Sequence, residues 1–165
     1  MPLRRWVLAI ELDRVTSAAN MHLQRMTSGR YRLQRRHAVV DGRKAFGLEI
    51  EVFDTHTGRE RSTSSMSGGE QFQASLALAL GLADVVSHGG SSSGKRFEAL
   101  FVDEGFGSLD PVALQDAIDA LHQLQATGRM VGAITHVEEM KRCLHVGIEV
   151  RRLADGRGST IVVHP

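Results

Sequence analysis

The sequence predicts an α/β fold, with parallel strands joined by a crossover helix and antiparallel hairpins on either side. Two observations predict it. The apolar run ALFV, a helix from Pro111 to about Ala126 and a second apolar run, RMVGAIT (129–135), succeed one another as strand, helix, strand. That order sets two parallel strands side by side with a right-handed crossover. In addition, strand-like stretches on both sides of this unit contain Asp-Gly, at Asp41-Gly42 and Asp155-Gly156, a two-residue hairpin signal.

The elements follow in order. Leu8, Leu12, Val15, Ala19, Leu23 and Met26 recur at helical spacing, which predicts an amphipathic helix over residues 3–26 that stops at Thr27-Ser28-Gly29. YRLQRRHAVV (31–40) and KAFGLEIEVFD (44–54) are the first hairpin. THTGRERSTSSM is a polar loop leading to an apolar helix from Glu70 to about Ser87. A Gly/Ser-rich loop precedes ALFV, which is expected to be a buried strand ending at Asp103-Glu104. The helix from Pro111 carries Leu114, Ile118, Leu121 and Leu124 on one face and ends at Gly128. The tail IEVRRLADGRGSTIVVHP closes as a hairpin.

At 165 residues and 18.0 kDa the chain is the size of one domain. With 42% hydrophobic and 24% charged residues it has an ordinary globular composition, and a net charge of +1 gives no global pull toward nucleic acid or membrane. The single cysteine, Cys143, excludes an internal disulfide and suits a reducing compartment; it is expected to be buried on a short helix. No apolar run approaches membrane-spanning length, and MPLRRWVLAIELDR breaks into charges too soon for a signal peptide. A cytoplasmic protein without membrane contact is expected.

GGSSSGKR (89–96) comes close to a phosphate-binding loop, with Arg96 where Ser or Thr should bind magnesium. Its setting is reversed. A working loop follows a strand and opens a helix, whereas this one follows a helix and leads into a strand. It is read as a surface turn.

The chemistry is expected elsewhere. In ALFVDEGFGSLDP (99–111) a strand delivers Asp103 and Glu104 to its carboxyl end, where α/β sheets bind ligands. Asp103 could hold Mg²⁺, and Glu104 could orient or deprotonate a water. The plainer alternative is that two acidic residues merely end a strand, which the adjoining Gly105, Gly107 and Ser-Leu-Asp argue against. Asp110 before Pro111 is a natural N-cap, and a capping loop can also face a partner subunit. Ser67 and Glu70 form a capping box, while Gly68 and Gly69 leave amides bare at the helix's positive end, where anions bind. Glu70 then brings negative charge near any bound phosphate unless it points away. His136, after the strand VGAIT, should share the sheet edge of Glu104 and could meet a γ-phosphate or the attacking water. The other histidines have no metal-ligand spacing. Arg30, Arg32, Arg35, Arg36 and His37 could touch DNA phosphates, but are read first as solvated charges on an edge strand.

Taken together, these residues resemble the C-terminal ATPase lobe of the SbcC family, bacterial SMC-like DNA-repair ATPases of the ABC class. SGGE (67–70) resembles the ABC signature, with Met66 and Glu70 in place of the common Leu and Gln. ALFVDE (99–104) resembles the Walker B strand, GSLD (107–110) the D-loop, and His136 in AITH the switch histidine. The helix running into MTSGRYRL resembles the return of the family's coiled coil to its head.

The resemblance implies that Asp103 assists Mg²⁺ binding and Glu104 is the catalytic carboxylate, with His136 sensing the γ-phosphate. It implies that Ser67, Gly68 and Gly69 contact the γ-phosphate of ATP on the opposite head, with Glu70 in the same motif, and that Ser108 and Asp110 communicate across that dimer. It also implies an SbcD-like nuclease partner and double-stranded DNA ends as substrate. The family's Walker A and glutamine loops lie in an N-terminal lobe, and no segment of these 165 residues replaces them.

The expected organisation is a single lobe over 1–165. It comprises a helix continuing from a coiled coil (1–28), antiparallel strands (30–60), the signature-to-switch region (64–145) and a closing hairpin (146–165). A non-catalytic docking module, or a remnant with Phe72, Leu76 and Leu80 uncovered, are the rival expectations.

Overall fold

The computed structural model describes residues 3–36, 48–89, 98–144, 146–153 and 156–164. Asp41-Gly42, His37, Asp155 and residues 90–97 of the Gly/Ser loop lie outside them, although that loop is flanked as expected by a helix before and a strand after.

Helix α1 (Leu3–Met26) has the expected length but a different buried stripe, formed by Ala9, Thr16, Ala19, Leu23 and Met26. Leu8 is 46% exposed, as are Leu3, Trp6, Val7 and Ile10 to comparable or greater degree. Beyond Ala9, the buried positions of α1 lie in its second half, where small residues face inward because a second helix approaches closely. Thr16 is accommodated by donating its hydroxyl to the Leu12 carbonyl at 2.9 Å. Ser28 and Gly29 then adopt left-handed backbone (φ 48° and 79°), and the Gly29 amide closes the helix on the Gln24 carbonyl.

Strands β1 (Tyr31–Arg35) and β2 (Ile50–Asp54) pair antiparallel, Tyr31 opposite Asp54. The expected polar loop after them contains a third strand, β3 (Arg59–Ser62), paired with β2. Gly58 (φ 65°) turns the chain back, its amide donating to the Asp54 carbonyl. RERS is polar because β3 is an exposed edge, so it lacks the apolar alternation that marks a half-buried strand. The outer side of β1 is met by α1: the Asn20 amide bonds both the carbonyl (2.8 Å) and the N–H (2.7 Å) of Leu33, and Thr27 Oγ1 accepts the Tyr31 N–H.

Helix α2 (Gly68–Gly89) begins two residues before Glu70, at a formed capping box. It crosses α1 at Gly81, where an added methyl would stand 2.4 Å from the Ala19 nitrogen. That contact requires glycine. Ala74, Leu76, Ala77 and Leu80 of α2 enter one core with Leu23, Met26, Leu33 and Val52; Phe72 is half-buried against it.

Strands β4 (Ala99–Asp103) and β5 (Met130–Ile134) are parallel, in register from Ala99–Met130 to Asp103–Ile134, and α3 (Pro111–Ala126) is their crossover. Asp110 caps α3, accepting the amides of Val112 and Ala113. Leu114, Ala117, Ile118, Leu121 and Leu124 are its buried face. ALFV is buried on one side only: Leu100 and Val102 pack on the core, whereas Phe101 is 68% exposed beside Met130 and Ile134. Nothing among the described residues covers that second face. Cys143, on α4 (Glu138–Cys143), is half-buried instead of buried. Strands β6 (Gly147–Arg152) and β7 (Ser159–His164) form the closing antiparallel pair.

Candidate functional site

The carboxyl ends of β4 and β5 carry the candidate groups. Asp103 is the last residue of β4 and is exposed. Glu104 extends the ladder by one bond, its amide reaching the Ile134 carbonyl at 2.9 Å, but its φ is 57° and that of Gly105 is 93°. Left-handed backbone at a residue with a side chain costs about 1–3 kcal/mol and tends to occur where function demands it. The cause of the turn is visible in the packing. A methyl on Gly105 would meet the Phe72 ring at 2.3 Å, while Phe106, 1% exposed, sits edge-on to Phe72 at 4.9 Å between centroids. The buried Phe106 pulls the chain inward, and Glu104 is turned out.

His136 follows β5 by two residues. Its Nδ1 lies 2.8 Å from Glu104 Oε2, with both side chains at least half exposed. Facing a carboxylate, Nδ1 carries the proton, which leaves Nε2 over Gly107, where an added methyl would come within 3.5 Å. Ser108 closes the turn by donating its hydroxyl to the Gly105 carbonyl at 2.8 Å.

The start of α2 leans on the same turn. Methyls on Gly68 and Gly69 would stand 3.6 Å from Ser108 Cβ and 2.9 Å from the Ser108 carbonyl oxygen. The two glycines therefore admit the 106–108 turn against the helix's positive end. Ser67 and Gly68 remain exposed. A continuous surface thus runs from Ser67 through Ser108 and Gly107 to His136 and Glu104, with Asp103 and Asp110 at its margins.

Glu70 does not face that surface with a free carboxylate. Oε2 accepts the Ser67 amide at 2.8 Å, and Oε1 accepts the Tyr31 hydroxyl at 2.6 Å with Arg30 at 3.8 Å. Burial alone would raise its pKa, but the hydrogen bonds from Tyr31 and Ser67 and the Arg30 charge outweigh it and hold the carboxyl below its usual range. Tyr31 is pushed up to about 12, first by burial and then by its bond to Glu70. The sequence reading missed this partnership because 39 positions separate the two residues and neither belongs to a shared motif.

The arginine cluster is largely neutralised. Arg30 also faces the fully buried Asp54 at 3.6 Å, Arg35 pairs with Asp13 at 2.8 Å and Arg36 with Glu49 at 3.2 Å. Arg32 lies over the Phe53 ring. Among the described residues no group of three or more His, Cys, Asp or Glu could by itself hold a metal ion, and no helix is long and apolar enough to cross a membrane.

The fold is that of an SMC-type ATPase head. A structure solved in work on ATP-driven dimerization and DNA-stimulated activation of SMC ATPases superposes with a TM-score of 0.70 at 17% identity, covering 96% of this chain and 88% of that one. The Smc head domain with an extended coiled coil from Pyrococcus furiosus, bound to the C-terminal domain of ScpA, gives 0.65 at 20% identity over 91% of this chain and 34% of that one.

Within that class the chain belongs to the SbcC/RAD50-like family, whose Walker B motif model matches residues 37–123, just over half of the sequence. It is 49% identical over 150 residues to the SbcC subunit of the SbcCD nuclease of Staphylococcus haemolyticus, covering 91% of this chain and 14% of the relative, and 48% identical over 151 residues to that of Staphylococcus aureus. The chain therefore spans about one seventh of the length of these curated relatives.

Proposed function

We propose that this chain is the C-terminal lobe of an SbcC-like ATPase that couples ATP hydrolysis to the processing of double-stranded DNA ends with an SbcD-like nuclease. It would be catalytic only when joined by an N-terminal lobe bearing a phosphate loop. The observation that carries the reading is the Glu104–His136 pair at the ends of two parallel strands, on one surface with the Ser67–Gly69 helix start.

In this reading Glu104 accepts a proton from the attacking water, and His136, fixed through Nδ1, presents Nε2 to the γ-phosphate. Ser67 and the amides of Gly68 and Gly69 face the phosphate of ATP held by a second head. Ser108 and Asp110 lie at that head–head junction. Glu70 belongs to the motif as its brace. The donor set suits Mg²⁺, which takes one or two carboxylates and completes its shell with water and nucleotide oxygens. Asp103 is the residue that would hold it, and the ion would supply charge neutralisation on the phosphates. The exposed first half of α1 suits a helix continuing into a coiled coil.

The need for a second lobe is supported by bare apolar surface. Ile148, Val150, Ile161 and Val163 share one face of the β6–β7 ribbon and are 64–70% exposed, and Phe101, Met130 and Ile134 face out from β4–β5. A docking module working through the arginines is disfavoured, since Arg30, Arg35 and Arg36 each face a carboxylate.

The test is Mg²⁺-dependent ATP turnover by the chain alone and mixed with an SbcC-type N-terminal lobe. Turnover only in the mixture, lost in Glu104→Gln, is expected. A folded and associated mixture without turnover would reduce the chain to a binding module.

A further inference from the structure

We propose that Tyr31 is a positioning residue for the start of α2: its hydroxyl, backed by Arg30, holds Glu70 so that the Ser67 hydroxyl and the amides of Gly68 and Gly69 stay turned toward an anion. The inference rests on the reading of Ser67–Gly69 as phosphate contacts.

Donor and acceptor accounting carries it. Ser67 Oγ accepts the Glu70 amide at 3.3 Å, so its own proton is left to give, and it has no acceptor among the described residues. This arrangement lasts only while Glu70 stays folded back over the Ser67 amide. One carboxylate oxygen does that; the other is taken by Tyr31 at 2.6 Å. Were Oε1 released, the carboxylate could swing toward the helix end and place negative charge where an anion should sit.

The phenol itself cannot easily move. Tyr31 is 2% exposed, with the Arg30 guanidinium 4.7 Å and the Arg61 guanidinium 5.6 Å from its ring centre. Both arginines are drawn to Asp54, which is fully buried, at 3.6 and 3.9 Å. Tyr31 also begins β1, the element that follows α1 after a short turn, so the helix start is tied to the α1–β1 junction and not merely to its own first turn.

Tyr31→Phe keeps the ring and its stacked arginines and removes only the hydroxyl. Two measurements test it. In the chain alone, ¹⁵N amide resonances of Ser67, Gly68 and Gly69 should shift and broaden in Tyr31→Phe, while the thermal midpoint falls by no more than about 10 °C, the loss of one hydrogen bond to a charged group, and the chain stays folded. In the assembly with the N-terminal lobe, KM for ATP should rise about five- to tenfold with kcat nearly unchanged, an indirect share of the loss typical for a hydrogen bond to a charged group. Unmoved amide resonances, or a KM that stays put while Ser67→Ala raises it, would overturn the brace and leave the phosphate reading standing. A Ser67→Ala variant with wild-type KM would overturn the phosphate reading and the brace with it. A fall in kcat that tracks the loss of stability, with KM unmoved, would reduce Tyr31 to a purely structural residue.

Discussion

His136 Nδ1 and Glu104 Oε2, 32 positions apart in sequence, stand 2.8 Å apart at the ends of neighbouring parallel strands. One hydrogen bond thereby fixes the imidazole tautomer and anchors one carboxylate oxygen, leaving the other oxygen and Nε2 for the roles proposed above. Replacing Glu104 by Gln should lower turnover of the assembled head by at least about a hundredfold, the usual contribution of a general base, with ATP still retained. Single-turnover hydrolysis at the wild-type rate would remove Glu104 from the mechanism.

Glu104 also holds a backbone conformation that suits glycine. Glu104→Gly should therefore stabilise the chain by about 0.5–1 kcal/mol, the relief expected at a left-handed position, while abolishing turnover. Urea unfolding checks the first half. A destabilised variant would mean that the side chain contributes more to the fold than the φ of 57° takes away.

Gly81→Ala runs against helix propensity. Alanine in a helix interior normally gains about 1 kcal/mol over glycine, yet here the methyl would stand 2.4 Å from the Ala19 backbone nitrogen. A net loss of about 2–3 kcal/mol is expected from overpacking two helix backbones. A raised thermal midpoint would mean that α1 and α2 can separate without cost.

The Tyr31–Glu70–Asp54 network gives stability a defined pH window. Tyr31 titrates at about 12 in the folded chain against 10 ordinarily, so its contribution is complete below pH 10 and is lost as pH rises toward 12. Glu70 and Asp54 are depressed below 4.5 and 3.8, so theirs is present above those values and is lost on acidification. Burial by itself would have raised Asp54; the His56 amide, Arg30, the Thr57 amide and Arg61 reverse the sign. Since Tyr31 is the sole tyrosine, absorbance at 295 nm reports it alone. It should stay flat through pH 10 in the wild type and begin to rise earlier in Glu70→Gln.

Substitutions on the bare ribbon face should separate folding from assembly. Ile148→Ser and Ile161→Ser remove exposed side chains, so the chain's own stability should change by no more than about 0.5 kcal/mol. Binding of the N-terminal lobe, measured by calorimetry, should weaken at least tenfold. Equal affinity would place the lobe on another surface.

Much of this was legible in sequence where the signal is local. The bounds of α1 and α3 follow from periodicity and caps, and SGGE, VDE, GSLD and AITH lie together because helix starts and parallel-strand ends are where a crossover unit gathers its loops. The failures are equally physical. RERS forms a strand through its partner β2, not through any apolar alternation of its own. ALFV looks buried in sequence because its exposed face is apolar, with no covering among the described residues. Leu8 matches the helical period, yet it lies off the stripe that is buried, which apart from Ala9 is confined to the second half of α1. Tyr31 and Glu70 meet through tertiary structure alone.

The amide of Asn20 on Leu33 and the hydroxyl of Thr27 on Tyr31 have one more consequence. A sheet that templates its own copies must offer an open side at both ends, so that each newcomer presents a fresh one. Among the described residues of this sheet, β1 is closed by side chains of α1 and β3 is the strand left open. Two copies meeting through β3 would leave no open edge among these strands, so such a pairing would stop at two and not propagate.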